Sequence, residues 1–162
     1  MTCKNCETKT VWEFTNQTKL CKKCFCDYIE RKVFRTIRKY EMLASDSVIR
    51  LKKENNLNYN VLKHILQKKF SVVPGNELVA DNLSQIAEET FASVLKGNFE
   101  KPILNNKPLS NVSDAELELY AKLEKIDGKL RKKNEKVRNL FEKFMKKNPD
   151  LEINIVKASE MI

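Results

Sequence analysis

Cys3-Lys4-Asn5-Cys6, answered fourteen residues further on by Cys21-Lys22-Lys23-Cys24-Phe25, decides how the start of this chain is read. Two Cys-x-x-Cys turns at this separation match the knuckles of a zinc ribbon or LIM-like finger. Each turn brings two thiolates to one ion, and four thiolates at about 2.3 Å complete the tetrahedral shell that d¹⁰ zinc accepts without geometric penalty. Between the knuckles, Val11-Trp12-Glu13-Phe14 and Lys19-Leu20 flank Asn16-Gln17, the pattern of a short hairpin. The expected site is closed and structural, with Cys3, Cys6, Cys21 and Cys24 as ligands and Zn2+ as the ion. Two disulfides, a redox pair and an iron–sulfur cluster are the competing readings. Disulfides are disfavoured because the opening residues do not read as a secretory signal, and a redox pair needs no duplicate at finger spacing. Cys26 reads either as a substitute for Cys24 or as a bystander at the helix start, and His64, the single histidine, as a solvated residue.

Outward from the knuckles, Ile29, Val33, Ile37 and Tyr40 form the stripe of a helix over 27–42, with Arg31, Arg35 and Arg38 on another face. The segment 47–69 reads as two short helices meeting near Asn55-Asn56, and Pro74-Gly75 ends the region. Glu77-Leu78-Val79-Ala80 reads as a short strand. Asp81-Asn82 or Ser84 then caps a helix that runs to about Leu95 and stops at Gly97. Ser113-Asp114-Ala115-Glu116 has the form of a capping box. Past Gly128, a helix over roughly 129–147 is expected to turn Leu130, Val137, Leu140, Phe141, Phe144 and Met145 inward, until Asn148-Pro149-Asp150 terminates it. Leu151, Ile153 and Ile155, alternating with polar neighbours, read as a strand. The expected fold class is α+β and mostly helical: a finger over 1–26, a basic helix and connector over 27–76, and a second half over 77–162.

The chain has 162 residues, a formal net charge of +9 and a pI near 9.3. That length is short for two independent enzyme domains. No apolar run approaches the ~18 residues of a membrane span, so a soluble, cytoplasmic protein is expected. The charge favours polyanionic partners, and its excess lies early: residues 1–43 hold 10 basic against 5 acidic side chains, whereas 77–112 hold 3 against 5.

Together, the two knuckles and the register Tyr28-Ile29-Glu30-Arg31-Lys32-Val33-x-Arg35-Thr36-Ile37-x-Lys39-Tyr40 resemble the amino-terminal finger and helix of TtuA-type tRNA 2-thiouridine synthetases, of the PP-loop ATP-pyrophosphatase group. The similarity continues through Ala80-Asp81-Asn82-Leu83-Ser84-Gln85-Ile86-Ala87-Glu88, which is similar to the family's Gly-His-Asn-Leu-Asp-Asp-Glu-Ala-Gln helix start. Leu95-Lys96-Gly97-Asn98, Lys107-Pro108-Leu109 and Asn148-Pro149 to Val156 extend it. The departures fall on the chemistry. Where the family has a Ser-Gly-Gly-x-Asp-Ser phosphate loop, this chain has Ala44-Ser45-Asp46-Ser47, without the glycines that permit close backbone approach. The family's His and paired Asp are replaced by Asp81, Ser84 and Gln85. Its catalytic cysteines have no counterpart, because every cysteine precedes residue 27. The resemblance therefore implies a shortened, degenerate member with a reduced PP-loop-like second half, expected not to hydrolyse ATP.

The resemblance also implies that tRNA or another RNA is gripped by the finger and a cationic face formed by Arg31, Lys32, Arg35, Arg38 and Lys39, in a non-catalytic protein. Two alternatives remain open. One is a subunit of a split 2-thiolation enzyme; the other is an adaptor that pairs with an intact PP-loop synthetase. On charge alone, the same cations read as the solvated side of an amphipathic helix.

Overall fold

In a computed structural model, which describes residues 1–43 and 48–162, the chain is mixed α and β and mainly helical. The described residues begin with a hairpin, β1 (Thr10–Glu13) and β2 (Lys19–Cys21), antiparallel with Trp12 opposite Leu20 and a register irregularity between Thr10 and Trp12. Asn16 and Gln17 turn it, with Gln17 at φ 63°. Helix α1 (Lys22–Lys39) follows without a linker and so starts inside the second knuckle, five residues earlier than expected. Its buried stripe is Phe25, Ile29, Val33 and Ile37, a helical spacing that sinks one face into the larger core.

The segment expected as two helices is one strand and one helix. β3 (Val48–Leu51) precedes α2 (Leu57–Gln67), and β4 (Ser71–Pro74) pairs parallel to β3 with Val48 opposite Ser71. This is a single βαβ unit. β-Branched Val48, Ile49, Val72 and Val73 favour the pleated state, and parallel neighbours require a crossover such as α2. Asn56 does act at a boundary: as the α2 N-cap its side chain accepts from the Tyr59 N–H at 2.9 Å. The strand expected over 77–80 shrinks to one bridge, Leu78 to Leu51.

α3 (Leu83–Leu95), capped by Asn82, and α4 (Asp114–Glu124), opened by a complete Ser113/Glu116 capping box, form where expected. The next helix is shorter than expected. α5 spans Glu135–Met145, and the residues before it form a non-helical strap. Arg131 and Lys133 explain the strap: Arg131 bonds Glu88 at 3.1 Å, and Lys133 pairs with Asp114, sewing the strap to α3 and α4. Of the apolar residues assigned to α5, Phe141 is buried, whereas Leu140 and Phe144 are exposed.

Residues 151–156 are not a strand. They begin α6 (Leu151–Glu160), whose buried positions Glu152, Val156 and Ser159 recur at helical spacing against α3. A short apolar run fits both periods, and the face offered by α3 selects the helical one. Leu83, Ile86, Ala87, Phe141 and Val156 make a second, smaller core there. Among the described residues, no helix is long and apolar enough to cross a membrane.

Candidate metal centre and cationic face

The first knuckle is tied down by its own backbone. The Cys3 N–H donates to the Thr8 carbonyl at 2.9 Å, the Glu7 N–H to the Cys3 carbonyl at 3.1 Å, and the Lys4 N–H to Lys19 of β2 at 2.9 Å. Glu7 takes the left-handed conformation, φ 57°, that closes the turn. The second knuckle joins strand to helix: Cys21 ends β2 and is the N-cap of α1, and Cys24 lies in the first helical turn. Sulfurs at a helix start meet unpaired backbone N–H groups and the positive end of the helix dipole, which favour thiolate.

All four sulfurs lie within 4.8 Å of one another. Cys6 Sγ is 3.3 Å from Cys21 Sγ and 3.8 Å from Cys24 Sγ. Such crowding splits the thiols' acidities. Cys21 is drawn down to about 6 by the Thr8 hydroxyl, the Cys24 backbone and Cys6, while Cys24 is pushed up to about 12, chiefly by Cys21. Four like charges at this range ionise together only around a cation.

Cys26 stands apart from the cluster. It is buried, and burial, then Glu124 and Glu30, push its thiol up to about 12. It is the bystander of the two readings. His64 is no part of the cluster either: its Nε2 lies 3.4 Å from Glu124, beside the Tyr120 ring.

The structure divides the five cations assigned to the RNA-facing side. Arg31, Arg35 and Arg38 are exposed at i, i+4 and i+7 of α1, and no carboxylate pairs with them among the described residues. Lys39 is exposed but paired with Glu160 at 3.3 Å. Lys32 is a correction: it is 9% exposed, and its Nζ donates to both Glu116 oxygens at 2.9 Å. It falls between the two stripes of α1, and the capping-box glutamate of α4 draws it inward.

Asp81 is paired with Lys107 at 2.8 Å, Gln85 Nε2 donates to Asp81 and Glu89, and the Ser84 hydroxyl accepts the Asp114 N–H at 2.9 Å. All three are engaged in holding α3 and its surroundings. Ala44-Ser45-Asp46-Ser47 lies outside the described residues. Sequence reasoning missed Phe14 and Tyr28, which line a groove of about 400 Å³ beside Arg31 and Arg35. The signal was available in aromatic residues interleaved with basic ones.

No family model matches the sequence, and no curated protein does. Among solved structures, the fold is similar to that of the U34-tRNA thiolase NcsA from Methanococcus maripaludis with its [4Fe-4S] cluster. That match has a TM-score of 0.81 at 12% identity and covers 99% of this chain and 86% of that chain. At that identity it establishes a tRNA-thiolase-like fold and leaves chemistry to be argued from the residues.

Proposed function

We propose that this chain is a zinc-binding, non-catalytic tRNA-binding protein, a degenerate relative of TtuA-type synthetases. It would be organised as a finger (1–26), a basic connector (27–76) and a reduced PP-loop-like remainder (77–162). The observation that carries the reading is a four-sulfur cluster at the root of α1, in a thiolase-like fold, directly below three arginines without carboxylate partners among the described residues.

The sulfur spacing favours zinc. A single tetrahedral ion with bonds of about 2.3 Å sets its ligands about 3.8 Å apart, close to the observed separations of 3.3 and 3.8 Å. A [4Fe-4S] cubane places each thiolate on its own outward-facing iron, so its four sulfurs stand farther apart. Cys3, Cys6, Cys21 and Cys24 would hold the zinc, which would supply a closed crosslink and offset half of the thiolate charge. The chain's own residues supply the rest: the hairpin and α1 present Arg31, Arg35 and Arg38 in fixed orientation.

The non-catalytic part rests on what occupies the family's reactive positions. Asp81, Ser84 and Gln85 are held by neighbours, and all five cysteines precede residue 27. A gel shift with tRNA across a salt series tests RNA binding. A complex that weakens steeply with salt is expected, and no shift at low salt removes the reading. Pyrophosphate release from ATP by the purified chain would overturn the non-catalytic assignment.

A partner-bound role, as part of a split enzyme or beside an intact synthetase, is the second reading. Exposed Val94, Leu95 and Ile103 near the end of α3 favour it. Copurification from cells, followed by assay for thiolated tRNA, tests it.

A further inference from the structure

The groove between the hairpin and α1 is where Arg31 and Arg35, which pair with no carboxylate among the described residues, meet aromatic rings. Phe14, just past β1, and Tyr28 of α1 are half-buried and pack edge to face, centroids 5.0 Å apart at 72°. Trp12 backs them, 6.1 Å from Phe14 and 5.3 Å from Phe25, so the pair is held by the hairpin's own core. Lys4 and Asn5 of the first knuckle also line the groove, as do Arg31 and Arg35 along the helix. Its lysines and arginines, Lys4, Arg31, Lys32 and Arg35, meet no carboxylate in the lining, and Cys24 of the second knuckle forms part of the wall. Its volume of about 400 Å³ lies within the roughly 300–1,000 Å³ of small-ligand clefts.

One polar group in the lining is pre-positioned. Asn16 Oδ1 accepts the Thr18 N–H at 3.1 Å, which fixes the amide and leaves its NH2 without a protein acceptor among the described residues. An aromatic pair, a fixed amide donor and flanking guanidinium groups are the parts that hold a splayed nucleotide. The base stacks on the ring, its edge accepts from the amide, and its phosphates meet the arginines. A continuous duplex keeps its bases stacked and offers the recess nothing to insert.

We propose that this groove captures one unstacked base of a single-stranded RNA loop, against Phe14 and Tyr28, with Asn16 at the base edge and Arg31 and Arg35 on the adjoining phosphates. The proposal rests on the RNA-binding reading above and adds to it a preference for loops over helices. Because Lys4 and Asn5 belong to the metal-binding knuckle, the groove exists only while that knuckle is folded.

The test compares the zinc-loaded full chain on two labelled RNAs, a hairpin with a seven-nucleotide loop and a blunt duplex of equal length, by fluorescence anisotropy at 50 mM salt. The hairpin is expected to bind about tenfold more tightly, and 2-aminopurine placed in its loop to change fluorescence on binding. Tyr28→Ala should cost about tenfold or more on the hairpin, while duplex affinity and salt dependence stay unchanged. Tyr28→Phe should retain loop binding, and Asn16→Ala, at an exposed turn, should cost a few-fold. Equal affinity of the unmodified protein for hairpin and duplex, or a silent 2-aminopurine signal in a saturated complex, overturns base capture and leaves RNA binding standing. Failure to bind either RNA overturns both.

Discussion

Two adjoining cavities share Phe14, Asn16, Tyr28 and Lys32 in their walls and carry opposite charge. On the finger side the lysines and arginines of the groove, Lys4, Arg31, Lys32 and Arg35, face no carboxylate in its lining. The other, about 580 Å³, opens between α1, α3, α4 and α6 and is lined by Glu88, Asp114, Glu116 and Glu152 among other acids. In the acidic region three of these four carboxylates have a structural cation: Lys32 on Glu116, Arg131 on Glu88, Lys133 on Asp114. On the finger side Arg31, Arg35 and Arg38 have none among the described residues. The net charge of +9 is thus not a uniform coat. Paired cations hold the fold together, the three arginines have no carboxylate among the described residues, and Lys32 marks the border.

Removing the metal should erase the finger side of this contrast and spare the other. Structural zinc contributes about 10–16 kcal/mol of apparent binding free energy in small fingers. Cys21→Ser, or chelation of the wild-type chain, is therefore expected to unfold residues 1–26 and abolish RNA binding, with the helices of the second core retained. Metal analysis with circular dichroism checks this. Zinc at full stoichiometry in Cys21→Ser would refute the ligand assignment.

The next largest effect tests the border. Lys32 and Glu116 are a buried pair, with side chains 10% and 9% exposed, and removing one partner of such a pair typically costs about 3–5 kcal/mol. Lys32→Ala should lower the urea midpoint strongly and leave the salt dependence of RNA binding unchanged. A folded, fully stable Lys32→Ala that bound RNA more weakly would return Lys32 to the cationic face.

How much of this was visible in the sequence follows from the range of the forces involved. The convergence of the four cysteines, the hairpin, the cap offered by Asp81-Asn82 or Ser84 and found at Asn82, the box at Ser113 and the exposed arginine stripe are local patterns, whose causes lie within a few residues. Residues 151–160, the strap before α5 and β3 are decided by partners far along the chain: the face of α3, the carboxylates of Glu88 and Asp114, and the edge of β4. Lys32 shows the same limit at the scale of one side chain. Its spacing from Arg31 and Arg35 is nearly that of a shared face, and only the position of Glu116, 84 residues away, sends it inward.

On the cationic side the expected effects are smaller and quantitative. Arg31→Ala and Arg35→Ala should each lower the slope of log affinity against log salt by about 1, because each releases one phosphate contact. Arg131→Ala should change stability and leave that slope alone. Equal slopes for all three variants would break the distinction between paired and unpaired cations.

The smallest test reads a sign on the acidic side. Burial, with Asp114 and Glu88 adding to it and Ser84 opposing, holds the Glu152 carboxyl above the usual glutamate range. The folded chain then keeps a proton that the unfolded chain has lost. Its contribution to stability is complete below the unfolded pKa and disappears as pH rises through the folded one. Glu152→Gln cannot ionise and escapes that loss, so its urea midpoint should exceed the wild-type value at about pH 7 and converge on it near pH 4. A glutamine variant that is less stable by the same amount at both pH values would show that Glu152 acts through shape alone, and that the acidic cavity is not strained by its own charge.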